Sequence, residues 1–250
     1  MVFIPVHDGK PLIHISRPYV TWSIIGLNAL IFLLLQHGGL EDASQGSVVS
    51  FGLIPAVFND LRVLPPDFVD IPDAFNLITY AFLHGDLWHL AGNMVFLWVF
   101  ADNVEDCMGH VRFLIFYCLC AIAGGYAYVL FDPSSEAPLV GASGAIAGVV
   151  AAYFMLHPFQ KIWVLVFARI PIRLNALWVL GFWILFQFYS IAVATPDDEV
   201  AWSMHIGGLV TGAILVLFLR RRGVPLFDRG VQVIAVPPLP PSVDERETRR

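Results

Sequence analysis

Charge is scarce in this chain. Only 14% of its 250 residues are Asp, Glu, Lys or Arg, against roughly a quarter in soluble domains. Hydrophobic residues make up 58%, and the mean hydropathy is +0.72. So apolar a chain lacks the polar shell that an aqueous fold needs, which points to membrane insertion. Basic charge is short as well: the net charge of -6 excludes a nucleic-acid-binding surface. There are three cysteines, Cys107, Cys118 and Cys120, and no C-x-x-C pair. That excludes a disulfide framework or a zinc knuckle and leaves small core residues. No H-E-x-x-H is present, so neither a metal nor a cofactor is expected. No short apolar region is followed by a small-residue cleavage site. The first apolar run, from Val20, therefore reads as a membrane helix that stays. Internal repeats are also missing.

What is present is a series of apolar runs. A spanning helix needs about 20 apolar residues, fewer when neighbours shield it. Six candidates appear: Val20 to Gln36, Leu87 to Phe100, Phe113 to Leu130, Ala142 to Leu156, Leu174 to Ala192 and Val200 to Leu219. The second and fourth are short and carry polar residues, a pattern of spans that line a site. Ile162 to Phe167 is too short to span and reads as interfacial.

The positive-inside rule supports this count. With the N-terminus in the cytoplasm, Lys10, Arg17, Arg112, Lys161, Arg169, Arg173 and Arg220 to Arg222 all fall inside, and the outer loops keep only Arg62. The outer loops carry Asp132, Glu136, Asp197, Asp198 and Glu199 instead. A seventh span at Ile162 would spoil the asymmetry. The expected fold is an all-α, six-helix membrane bundle in the cell membrane, with both termini cytoplasmic. It divides into an N-terminal segment 1–19, a membrane domain 20–220 with a long outer loop 37–86, and a disordered tail 221–250 rich in proline and charge.

Polar residues inside spans are costly and mark function. Four stand out, and the topology puts them at comparable depth in the outer half of the membrane. Ser143 opens the fourth helix within Gly141-Ala142-Ser143-Gly144. There a hydroxyl meets free backbone N–H groups and the positive end of the helix dipole, and the glycines let a substrate backbone approach closely. It would serve as a nucleophile if a base took its proton; it would equally serve as a plain helix cap. His205 lies near the start of the sixth helix, on one face with Gly208 and Gly212. Gly144 and Gly148 repeat the small-residue spacing on the fourth, so the two helices can pack closely and bring His205 to Ser143. A neutral imidazole suits a general base; a histidine bonded to a carbonyl is the alternative. His89 and Asn93 are an i,i+4 pair on the second helix, either oxyanion donors or interhelical hydrogen-bonding groups. His84 reads as structural. Trp88 and Trp202 read as interface anchors, and the stripe Trp178, Phe182, Phe186 as packing or lipid contact.

At these residues the sequence resembles the rhomboid family of intramembrane serine proteases. The matching pieces are the run from His84 through His89 and Asn93 to Met94, Gly141-Ala-Ser143-Gly144, and His205-x-x-Gly208-x-x-x-Gly212. Asn103-Val-Glu-Asp106 and Phe51-Gly-Leu-Ile-Pro55 match bacterial members. The resemblance implies a six-helix core and a Ser143–His205 dyad without a third carboxylate. It implies oxyanion stabilisation by His89, Asn93 and the Ser143 N–H. Single-span membrane proteins, cut near the outer end of their helix, would be the substrates, and the fifth helix a lateral gate. Two features depart from the family: Met204 precedes the histidine where a small residue is usual, and the Trp-Arg pair of the first outer loop is absent. Rival readings are a non-catalytic relative that escorts membrane clients, a metalloenzyme using His84, His89 and His205, and a transporter. The first lacks support because serine and histidine are both present, the second because no H-E-x-x-H is present, the third because no charge lies mid-span.

Overall fold

The computed structural model describes residues 3–36, 41–69, 71–195 and 200–229. In chain order the helices are α1 (Tyr19–Leu34), α2 (Glu41–Phe51), α3 (Pro55–Phe58), α4 (Asn76–Thr79), α5 (Leu87–Phe96), α6 (Asp102–Met108), α7 (His110–Phe131), α8 (Ser143–Leu156), α9 (Ala176–Val193) and α10 (Trp202–Leu219). A π-helical stretch, Leu97–Ala101, joins α5 to α6 without a break. By length and composition α7, α9 and α10 can cross a membrane, and α1 and α8 are apolar but shorter. The Asn103-Val-Glu-Asp106 segment, expected ahead of the third helix, instead extends the second. That helix stops at Gly109, whose φ of 85° suits glycine. Asp197, Asp198 and Glu199 and the tail from 230 lie outside the described residues.

The all-α expectation needs one correction. Strands β1 (Phe3–His7), β2 (Lys161–Val166) and β3 (Ile170–Asn175) form an antiparallel sheet in the order β1-β2-β3. The supposed interfacial run is thus a strand, and the β-branched residues Ile162 and Val164 bury alternate positions. Phe167 and Ala168 both have positive φ, and Arg169 N–H donates to Val166 O, the geometry of a tight hairpin turn. The fifth helix accordingly starts at Ala176, not at Leu174.

α8 is apolar on every side, and each residue from Gly144 to Tyr153 is buried, so it forms the centre of the bundle. Its closest neighbour is α10. A Cβ on Gly208 would sit on the Gly144 carbonyl, and one on Gly212 on the backbone of Gly148. Backbone thus lies on backbone, as the small-residue spacing predicts.

Away from Ser143, the other end of the bundle is held by carboxylates. Pro18 gives α1 no side-chain cap. Glu105 supplies one from across the bundle, accepting from Val20 N–H at 3.0 Å, Thr21 N–H at 2.8 Å and Thr21 Oγ1 at 2.6 Å. Asp106 accepts from the N–H groups of Ile13, His14 and Ile15. Asp8, just after β1, is buried and accepts from Tyr153 Oη at 2.7 Å and Asn103 Nδ2 at 2.8 Å. Burial raises its carboxyl above the usual range, and the hydrogen bonds from Tyr153 and from the Lys10 N–H oppose the rise. Residues 221–229, expected to begin a loose tail, pack here too: Arg221 N–H donates to Cys107 O and Phe227 N–H to Met155 O. Val224 and Leu226, apolar residues between the basic run and the prolines, give this stretch something to bury.

The backbone contact gives a paired prediction. Gly208→Val should lower stability by about 1–3 kcal/mol or more through overpacking. Gly26→Ala, where nothing lies within 4 Å of the added carbon, should be neutral or gain up to about 1 kcal/mol from helix propensity. Thermal unfolding of both variants in detergent measures the contrast.

Candidate active site

The segment leading to Ser143 is set by the long loop. Leu53 and Leu139 exchange backbone hydrogen bonds at 3.1 and 2.9 Å, and Gly141 N–H donates to Tyr80 O at 2.9 Å. Asn76 Nδ2 and Thr79 Oγ1 bond to the carbonyls of Gly52 and Phe51. The Phe51-Gly-Leu-Ile-Pro55 motif therefore serves as the ledge against which the Ser143 turn is built. Gly141 has φ of 119°, and a Cβ there would lie 2.8 Å from the His89 ring and 3.8 Å from Asn93 Nδ2. Two of the residues singled out on α5 thus line the turn just ahead of Ser143.

Ser143 is half-buried and is the first residue of α8; the cap position belongs to Ala142, which makes no side-chain cap bond. The serine is not the helix cap. Its Oγ lies 2.9 Å from His205 Nε2. His205 is buried in the first turn of α10, edge-on to Trp202 with ring centroids 6.0 Å apart and tilted against Trp183 at 6.1 Å. Trp202, read from sequence as an interface anchor, packs on the imidazole, whereas Trp88 is 84% exposed.

On α5, Asp86 caps the helix by accepting from Trp88 and His89 N–H. Gly85 N–H makes a long contact, 3.4 Å, to His89 Nδ1, which leaves Nε2 as the N–H of the neutral ring, on the side of Gly141. Asn93 is buried, and its Nδ2 has no partner among the described residues. His84 is fully buried, with its backbone clamped on both sides by Gln36 and its ring edge-on to His89 at 5.2 Å. Its place is as a wall behind His89.

One residue escaped the sequence reading. Gln187, on α9, is 2% exposed, and its Oε1 lies 2.8 Å from His205 Nδ1. The available signal was a lone amide in the middle of an apolar span. It was masked by the aromatic stripe Trp178, Phe182 and Phe186, which faces outward.

No group of three or more His, Cys, Asp or Glu suited to a metal occurs among the described residues. A hydroxyl bonded to a neutral imidazole at a helix N-terminus, with N–H donors beside it, has the parts needed for nucleophilic attack on a carbonyl. Fold and site together define a helical membrane protein built around a serine–imidazole pair. A family model described as Rhomboid domain matches residues 72–222, more than half of the chain, and the chain belongs to the rhomboid family. It is similar to Rhomboid protein 1, mitochondrial, of Saccharomyces cerevisiae, 29% identical over 223 residues, 84% of this chain and 58% of that protein. It is also similar to Rhomboid protease GluP of Bacillus subtilis, 30% identical over 197 residues, 79% of this chain and 34% of that protein. Rhomboid-related protein 2 of Mus musculus is 28% identical over 145 residues, 56% of this chain and 46% of that protein. The chain spans between a third and three fifths of the length of these relatives.

A reactive hydroxyl can be tested without any substrate. A fluorophosphonate should label Ser143 alone. His205→Ala should slow that labelling by roughly 100-fold or more, read as the rate of adduct formation by intact-protein mass spectrometry.

Proposed function

We propose that this protein is an intramembrane serine endopeptidase that cuts single-span membrane proteins near the outer end of their helix. The observation that carries the reading is the 2.9 Å contact between Ser143 Oγ and His205 Nε2, made inside a bundle of apolar helices. Relatives with "protease" in their names, among them GluP of Bacillus subtilis and Rhomboid-like protease 3 of Toxoplasma gondii, add support. In this reading six helical passes cross the membrane, namely α1, the α5–α6 rod, α7, α8, α9 and α10, with both termini in the cytoplasm. The Ser143 end then faces outward, and the sheet lies at the inner surface with Lys161, Arg169 and Arg173.

The chemistry follows from the proton positions. His205 takes the Ser143 proton through Nε2 as Oγ attacks the scissile carbonyl. The oxyanion forms beside the Ser143 backbone N–H, His89 Nε2–H and Asn93 Nδ2, donors that are fixed before the reaction begins. His205 then protonates the leaving amine. Water admitted from the outer face is deprotonated by the same nitrogen and hydrolyses the acyl-enzyme, which restores the serine. The room at Gly141 is taken by the His89 ring and that at Gly144 by Met204, so these glycines, expected to admit the substrate backbone, instead draw the site's own side chains close, and Gly208 and Gly212 keep base and nucleophile together. The outward aromatic face of α9 is where a substrate helix would arrive from the lipid, so α9 is the gate. No cofactor takes part.

Ser143→Ala should abolish cleavage of a labelled single-span substrate while leaving the thermal midpoint unchanged; undiminished turnover would refute the assignment. Asn93→Ala should lower kcat by roughly 100-fold while folding is kept, since it removes one oxyanion donor. Both are read by gel-based cleavage in proteoliposomes.

A further inference from the structure

Gln187 is a polar residue in a span whose other inward-facing residues include Val179 and Leu180. Its amide orientation is determined. Nε2 lies 3.0 Å from the Trp183 carbonyl, one turn earlier, and a carbonyl only accepts. The NH2 must face that carbonyl, so Oε1 must face His205. An amide oxygen cannot donate, so the proton between Gln187 and His205 belongs to Nδ1. The neutral ring then has its lone pair on Nε2, where Ser143 Oγ lies at 2.9 Å. The other tautomer would set the lone pair of Nδ1 against that of Oε1 and turn an N–H toward the serine, leaving no base. Three side chains from three helices thus form one directed chain: Ser143 of α8 donates to His205 of α10, which donates to Gln187 of α9.

We propose that Gln187 is a positioning residue that fixes His205 as the Nδ1–H tautomer and aims its Nε2 at Ser143. This deepens the serine-endopeptidase reading and rests on it. During attack the same bond holds the imidazolium, whose Nδ1–H becomes a stronger donor to a neutral acceptor. An uncharged amide supplies orientation without placing a carboxylate in the bilayer, where an isolated charge is expensive.

The competing account is that Gln187 only hydrogen-bonds one helix to another. Two variants separate the two. Gln187→Leu keeps approximate volume and removes the acceptor; Gln187→Glu keeps an acceptor oxygen. Each is compared with the wild type and Ser143→Ala for cleavage kinetics, fluorophosphonate inactivation rate and thermal midpoint in the same detergent. Gln187→Leu should lower kcat by roughly 10- to 100-fold with KM within about twofold, and should slow inactivation by a similar factor. Gln187→Glu should recover at least about threefold in both rates relative to Leu. Wild-type rates in Gln187→Leu would overturn the proposal. So would equal losses in both variants that track an equal fall in thermal midpoint. If Ser143→Ala cleaves as fast as wild type, the endopeptidase reading itself has failed. If Ser143→Ala is inert and Gln187→Leu is unimpaired, only the role given to Gln187 has.

Discussion

Everything at the site depends on α8 and α10 touching through their backbones. With any side chain at Gly208 or Gly212 the helices would stand further apart, and a hydroxyl and an imidazole on separate helices would not lie 2.9 Å from each other. Apolar side chains cannot supply that contact alone, because in lipid there is little hydrophobic drive between helices and close packing carries the association. Met204, the unusual neighbour of the histidine, is accommodated by glycine on both sides: a Cβ on Gly144 would lie 2.7 Å from its Cγ, and one on Gly124 3.0 Å from its carbonyl oxygen. The bulk of Met204 fills the space that those two glycines leave on α8 and α7.

The remaining elements refine what that contact brings together. The loop before α5 lays Tyr80 and Leu53 against the segment ahead of Ser143, so the serine is aimed by backbone hydrogen bonds as well as by its helix. Asp86 fixes the first turn of α5 and with it the His89 ring. α9 turns the Trp178, Phe182 and Phe186 face outward while Gln187 points in. Displacement of α9 would stretch the 2.8 Å bond between Gln187 and His205.

Much of this was legible in the residues. The apolar runs gave helices because a run of that length has no other way to satisfy its backbone in lipid. The spacing Gly144, Gly148, Gly208, Gly212 gave the pairing of α8 with α10, and a serine and a histidine at equal depth on those helices then had to be close. What failed to show had local causes. The β2–β3 turn uses Phe167 and Ala168, which carry no hint of positive φ, so a strand passed for an interfacial run. The carboxylates of Asn103-Val-Glu-Asp106 look like loop residues because their partners, the N–H groups of residues 13–15 and 20–21, lie more than eighty positions away. Gln187 carries no pattern at all; its partner is visible only once α9 and α10 are side by side.

The carboxylates Glu105 and Asp106 at one end of the bundle contrast with the amide of Asn93 at the other. Every oxygen of Glu105 and Asp106 accepts at least one hydrogen bond, as a structural carboxylate in apolar surroundings must. At the other end Asn93 keeps a buried Nδ2 without a partner among the described residues, which costs about 1–3 kcal/mol. An apolar residue of similar size would avoid that cost, so its presence asks for a reason other than stability. Its position supplies one, since Nδ2 points toward Gly141, two residues ahead of the hydroxyl that His205 holds. The proposed oxyanion role would use such an unfilled donor: its bond would form as negative charge develops beside it, stabilising the transition state more than the ground state.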